Sequence, residues 1–252
     1  MSSGPTLAVD LHVHSEDSYD GHEPVELLLE HAATIGLDGI VVTDHDVIGA
    51  SLTAAELAPS YGLVGIPGVE VSTAHGHLLA VGVTERPPPG RPFAETVRAV
   101  RDAGGAAVVP HPFQRFRHGV RRSRLVDVAT EVDAVEVYNS MAFTGYRNRR
   151  ARAFATDHDR PAVGGSDAHY LPNLGRAYTE IEVATDGPVT GADVVDAVRR
   201  GATHIRGRRT PIPRSVRQYA TGAVRKGLYE VTSRAPLVPA YPSAIAQWKA
   251  GE

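Results

Sequence analysis

His12 and His14 stand one residue apart in the stretch VDLHVHSEDSYDG, residues 9–21, with Asp17 and Asp20 close behind. A half-buried strand alternates its side chains between two faces, so both imidazoles point the same way. Two imidazoles side by side make a poor core and a good beginning for a metal site. Similar clusters recur downstream: Asp44, His45 and Asp46 in TDHD, Glu70 in GVEVS, His75 and His77 in HGH, His111 in VVPHP, and Asp167 with His169 in GGSDAH. The chain has no cysteine. Any metal must therefore sit on histidine, carboxylate and water, a donor set that suits Zn, Mn, Fe, Mg or Co.

These clusters follow short apolar runs. TLAVDL, DGIVVTD, LVGIPGVEV, HLLAVGV, GAAVVPH, DAVEVYN, RPAVGGSD and AYTEIEV read as strands, rich in Val and Ile and nearly continuous in hydrophobicity. Helical patterns lie between several of them: PVELLLEHAATIG, AAELAPSYG, FAETVRAVRDAGG, SRLVDVAT and GYRNRRARAFATDHD. Such alternation predicts parallel βαβ units, closed into a barrel or laid out as a doubly wound sheet. In both, the carboxyl ends of the strands form one rim, and loops on that rim carry chemistry. After about residue 205 the alternation fades. One helix is expected within residues 206–235, followed by an extended tail. The division is thus 1–205 for the main domain and 206–252 for a basic extension, packed on it or trailing from it.

DLHVHS, GLDGIVVTDHD, GVEVS, HLLAVG, VVPHP, GGSDAH and GRAYTEI, in this order from about Asp10 to Gly207, resemble the PHP (polymerase and histidinol phosphatase) superfamily of metal-dependent phosphoesterases. The resemblance implies an α/β fold, a distorted (β/α)7 TIM-like barrel with two or three divalent ions at its rim, Zn, Mn or Fe first and Mg as a further option. It implies that His12, His14, Glu70 and Asp167 hold one metal. Asp20, His45 and His169 hold a second, and Glu70, His77 and His111 a third, with Glu70 bridging. Asp17 competes with Asp20, which is preferred on its spacing from His14. His75 competes with His77, which is preferred because it directly opens a strand.

Asp10, Asp44 and Asp46 are placed to accept the second N–H of metal-bound imidazoles, with a helix cap as the other reading of Asp46. Asp44, Asp46 and Arg115 are the candidate catalytic residues. A phosphate also needs a cation, and arginine offers a planar fork for two of its oxygens. Arg115, following the His-Pro pair, is the first choice and Arg117 the second. Arg147 and Asn139 are further substrate-binding candidates. His22, His31, His118, His158 and His204 read as surface residues, and the basic tail as remote from the site.

The expected function is hydrolysis of a small phosphomonoester or nucleotide by metal-activated hydroxide. The alternatives are a 3'-5' exonuclease-like phosphodiesterase, a metal-dependent hydrolase of carbon esters or amides, and a non-catalytic module stabilised by metal. Only 40 positions separate Glu70 from His111 and 55 separate His111 from Asp167, which leaves little room for an inserted nucleotide-binding subdomain. The net charge of -3 predicts no general attraction to nucleic acid, although seven Arg and one Lys face one Glu between Arg206 and Arg234. Nucleic acid is therefore a less favoured partner than a small phosphorylated substrate. No apolar stretch of roughly 18 residues and no leader pattern is visible, so the expectation is a cytoplasmic protein without a membrane partner.

Overall fold

The computed structural model describes residues 4–232. The tail expected at 236–252 lies outside the described residues. Ten strands and seven α-helices follow the apolar runs: β1 Thr6–Val13, α1 Val25–Thr34, β2 Gly39–Val42, α2 Gly49–Leu57, β3 Val64–Gly65, β4 Gly68–Thr73, β5 Gly76–Val81, α3 Phe93–Asp102, β6 Ala106–Val109, α4 Arg122–Asp127, β7 Ala134–Asn139, α5 Gly145–Asp157, β8 Ala162–Gly165, β9 Ala177–Glu182, α6 Gly191–Arg200, β10 Thr203–Gly207 and α7 Ile212–Thr232. Among the described residues no helix is long and apolar enough to cross a membrane.

The strands form two five-stranded sheets, β10-β9-β1-β2-β3 and β4-β5-β6-β7-β8. The expected parallel pairs are present at β1–β2, β2–β3, β6–β7 and β7–β8. Four others are antiparallel: β1–β9, β9–β10, β4–β5 and β5–β6. The departure at β4–β5 follows from chain length. Only Ala74 and His75 separate the two strands, and a parallel crossover needs a dozen or more residues. β10 is an additional strand: its half-exposed sequence THIRG lacks the apolar continuity of the others, and it pairs with β9 across residue 205.

Two isolated parallel bridges join the sheets at one end, Val13 with Ala168 and His45 with Glu70. Backbone bonds reinforce them: His14 N–H to Ala168 O at 2.8 Å, Asp167 N–H to His12 O at 2.8 Å, and Asp46 N–H to Glu70 O at 3.0 Å. The chemistry-bearing residues collect along this seam.

Apolar layers hold the sheets beneath it. One groups Val69, Val71, Leu78, Val97, Val109, Leu125 and Phe154; a second groups Val9, Leu11, Val41, Leu79, Val108 and Val198; a third packs α1 and α2 through Leu28, Leu29 and Ala54 against Ile40 and Val42. Phe154 is fully buried and meets Phe113 edge-on at 5.7 Å, which ties α5 to the loop carrying His111. Phe154→Ala is expected to destabilise the fold by about 3–5 kcal/mol through lost burial and a residual cavity. Urea denaturation should show this as a lower midpoint at unchanged slope.

Candidate metal centre

The nine residues of the resemblance-derived set gather in one cluster: seven line one cavity, and His12 and His14 are fully buried beside them. His12 lies within β1 and His14 just past its end; Asp20 comes from the loop before α1. His45 follows β2, Glu70 sits in β4, His77 in β5, His111 follows β6, and Asp167 and His169 follow β8. Eight are buried, and Asp20 is partly so. Asp20 and His77, rather than Asp17 and His75, turn toward the cluster.

Glu70 is the hub. Its Oε2 lies 3.3 Å from His12 Nε2, His14 Nε2 and His45 Nδ1, and its Oε1 lies 2.8 Å from His77 Nδ1 and 3.1 Å from His111 Nε2. Asp167 Oδ1 stands 3.7 Å from the Nε2 atoms of His12 and His14. Asp20 Oδ2 stands 3.5 Å from His45 Nε2 and 3.0 Å from His169 Nε2. Donor atoms fall within 4.8 Å of one another in four overlapping groups: His14, Asp20, His45 and His169; His12, His111 and Asp167; His12, His14 and Glu70; His45, Glu70 and His77. The grouping differs from the expected partition in three ways, the first being that His45 also joins Glu70 and His77. His111 draws toward His12 and Asp167, and His14 toward the Asp20 side. The physical reason is that β1 runs through the middle of the rim, so its two imidazoles reach neighbours on both flanks.

The donor set fits divalent ions. Both ring nitrogens of His14, and Nδ1 of His45 and of His111, are buried without a hydrogen-bond partner, a costly arrangement unless another electrophile meets their lone pairs. Burial, aided by His169, holds the His14 imidazole well below its usual range, and burial with Arg117 does the same to His111. Both are thus neutral ligands at neutral pH. Burial would raise the Glu70 carboxyl, but His77, His45 and His12 outweigh it and hold the group well below the usual carboxylate range. Asp20 is treated likewise by His169 and His45 against its own burial.

Backbone strain marks the same rim. His111 and Asp167 have φ of 28° and 56°, a left-handed region that costs of order 1–3 kcal/mol for a non-glycine residue and collects at functional sites. At Gly165 an added Cβ would meet Glu136 Oε1 and His12 Cβ at 2.7 Å each, so only glycine lets β8 approach β1 here.

The three aspartates expected behind the imidazoles have other partners. Asp10 accepts backbone N–H groups of Ser166 and Gly175. Asp44 accepts the Ser15 N–H at 2.7 Å and its hydroxyl at 2.5 Å. Asp46, at φ 55°, accepts the Ser72 N–H at 2.8 Å. They fix the loops that carry the ligands, and their carboxylates are engaged by backbone and serine donors rather than turned on the cluster. Burial pushes the Asp44 carboxyl up to about 7, against about 4 in an unfolded chain. The folded chain therefore holds an extra proton across that window. Stability from this group is full below about pH 4 and is lost as pH rises through about 7. Asp44→Asn stays neutral, so in chelator its stability relative to the parent should rise between about pH 5 and pH 8. Urea titrations at both values would show a constant difference if Asp44 were not buried and protonated.

Glu136 in β7, which the sequence reading missed, holds the His12 imidazole and the His111 backbone N–H. Its Oε1 lies 3.1 Å from His12 Nδ1, and its Oε2 accepts the His111 N–H at 2.7 Å and the Asn139 amide at 2.9 Å. The available signal was a lone charge inside the apolar strand DAVEVYN. Asn139 also donates to Asp167 Oδ2 at 3.0 Å and accepts from Arg117 at 2.8 Å. It is a brace between carboxylates and does not line the cavity.

Arg117, and not Arg115, reaches the centre: its guanidinium pairs with Asp167 and lines the cavity of about 200 Å³ beside the cluster. Arg115 and Arg147 lie in neighbouring depressions on the rim. His118, read as a surface residue, lines the cavity too, stacked on His77 at 5.1 Å. The basic segment returns to the site. Gln218, Tyr219, Gly222, Ala223 and Lys226 of α7 form one wall of the cavity. The Gln218 amide lies 2.8 Å from His169 Nδ1 and 3.0 Å from Asp167 O. Lys226 Nζ is 3.3 Å from His118 Nε2.

Residues 10–148 match the family model described as PHP domain, and residues 145–203 match one described as PHP-associated. An uncharacterized protein of Methanocaldococcus jannaschii is 31% identical over 178 residues, covering 68% of this chain and 69% of that protein. The phosphoribosyl 1,2-cyclic phosphate 1,2-diphosphodiesterase of Eggerthella lenta is 38% identical over 85 residues, covering 31% of this chain and 32% of the enzyme. Among solved structures, a two-domain protein from Bacteroides vulgatus containing a predicted PHP-like metal-dependent phosphoesterase superposes with a TM-score of 0.67 at 19% identity, covering 86% of this chain and 69% of that one.

Proposed function

The chain belongs to the PHP domain family, and from that premise we propose that it is a metal-dependent phosphoesterase hydrolysing a small phosphorylated substrate. The observation that carries the reading is the convergence of five imidazoles on the Glu70 carboxylate at 2.8–3.3 Å, with Asp20 and Asp167 at the flanks. His12, His14, Asp20, His45, Glu70, His77, His111, Asp167 and His169 would hold two or three divalent ions. The mixed imidazole and carboxylate set favours Zn, Mn or Fe and also admits Mg. Such ions neutralise a phosphate ester and make bound water nucleophilic near neutral pH.

The chain's own residues supply the rest. Arg117 lines the cavity, held there by Asn139 and Asp167, and its remaining guanidinium hydrogens can meet a phosphate oxygen. Lys226, beside His118, adds a second cation to the lining. This positive charge beside the cluster favours a phosphate over a neutral carbon ester or amide. Tyr19, stacked on His45 at 4.8 Å, and the exposed His118 also line the cavity.

We also infer that the two sheets are parts of one distorted seven-stranded barrel, as the bridges Val13–Ala168 and His45–Glu70 suggest. The segment from residue 206 then begins at the last strand and, through α7, covers the barrel mouth.

The test is turnover. Protein reconstituted with Mn, Zn, Fe or Mg should release phosphate from p-nitrophenyl phosphate or a natural monoester, and a chelator should stop it. Absence of turnover with every ion and ester, in protein that retains its fold, would overturn the reading.

A further inference from the structure

A larger depression of about 1070 Å³ adjoins the cavity beside the metal cluster. Phe116, Arg117 and Tyr219 line both, so the two spaces share a border within reach of one small ligand. Its walls are aromatic faces and guanidinium planes: Phe116, Phe143 and Tyr219, with Arg115, Arg117 and Arg147. Phe116 is fully exposed in a three-residue turn between two arginines, and Phe143 is 45% exposed. A single exposed ring needs no explanation, whereas exposed rings gathered around one depression mark a binding surface. Phe143 and Tyr219 stand 5.0 Å apart at 40°, and the Arg117 guanidinium lies 5.7 Å from the centre of the Tyr219 ring. The Tyr219 hydroxyl donates to Met141 O at 3.1 Å, which fixes the ring in place.

We propose that this depression is a subsite for a planar ring carried by the substrate, so that the preferred esters are nucleotide-like, with the phosphate at the metal cluster and the ring against Tyr219 and Phe143. The inference rests on the phosphoesterase reading above and adds the substrate class. A base has a π-face that stacks on such rings whatever its sequence identity. Guanidinium planes stack in the same manner and tolerate nearby phosphate. Tyr219 belongs to α7, outside both stretches matched by the family models. The subsite is therefore built partly by this chain's own C-terminal helix.

Adenosine 5'-monophosphate and ribose 5-phosphate share the same scissile bond and differ by the base. Wild-type protein is expected to show a kcat/KM at least about tenfold higher for the nucleotide, the scale of one base–aromatic stack. Phe143→Ala or Tyr219→Leu should collapse that ratio toward one through KM. Tyr219→Phe, which keeps the ring, should retain it. Equal values for the two esters in the wild type, or a ratio unmoved by Phe143→Ala and Tyr219→Leu, would overturn the subsite. If no ester is turned over, the phosphoesterase reading fails by itself, and calorimetric Kd values for the same two ligands decide the subsite: a tenfold difference supports it and equality overturns it.

Discussion

Glu70→Gln is expected to lose phosphoesterase activity by on the order of 10²–10³-fold, the range for removing one electrostatic anchor from an active site, and to lose bound metal with it. Five imidazole nitrogens lie within 3.3 Å of its two oxygens. Glutamine keeps the shape but offers one neutral acceptor in place of two charged ones. The metal-free protein should weaken as well, because removing one partner from a buried ionic network costs about 3–5 kcal/mol. The sign with pH follows from the low Glu70 pKa, set by the imidazoles against burial. The stability from this group is fully present above the ordinary glutamate value of about 4.3 and declines only as pH falls well below it. The gap between parent and variant should therefore be wide at neutral pH and close in acid. Elemental analysis of metal content, ester turnover and urea denaturation read the three effects. A variant with full metal content and parental turnover would remove Glu70 from the centre.

Glu136→Gln tests a residue that faces no cavity. Its neighbours are all donors: the His111 N–H, the Asn139 amide and, when Nε2 of His12 ligates a metal, the His12 Nδ1–H. Glutamine must turn its own NH₂ toward one of them, setting donor against donor in a buried site. Metal affinity should fall about 10–100-fold, as for other groups that orient metal-bound histidines. kcat/KM at limiting metal should fall in parallel, and saturating metal should restore much of it. A competition titration against a chromogenic chelator measures the first effect. An unchanged affinity would mean that the His12 ring is held without Glu136.

The metal centre was legible because its donors sit where apolar runs end. That position singles out His12, His14, His45, His111, Asp167 and His169 along with Asp44 and Asp46, and the family resemblance supplied the choice among them. Glu136 was not legible, since one charge inside DAVEVYN reads as an edge position until His12 and His111 are seen around it. The antiparallel β1–β9 pairing was hidden because strand patterns carry no direction. The contribution of α7 was hidden for a different reason. An amphipathic helix is expected to turn its apolar stripe inward, but Val216, Val224, Leu228 and Val231 are exposed, while Gln218 and Ser215 are buried. Polar partners at the cluster, above all His169 and Asp167, set the orientation that hydrophobicity alone would have reversed.

The bridges between the sheets have a mechanical meaning. His12, His14, Asp20 and His45 come from the sheet containing β1 and β2, whereas Glu70, His77 and His111 come from the other, and each bridge includes or adjoins a donor. An ion held by donors from both sides of that join would act as a rivet, sharing load with a few backbone hydrogen bonds. Loading and unloading the cation would then tighten or slacken the whole open end of the molecule, and cofactor occupancy and resistance to unfolding become one property.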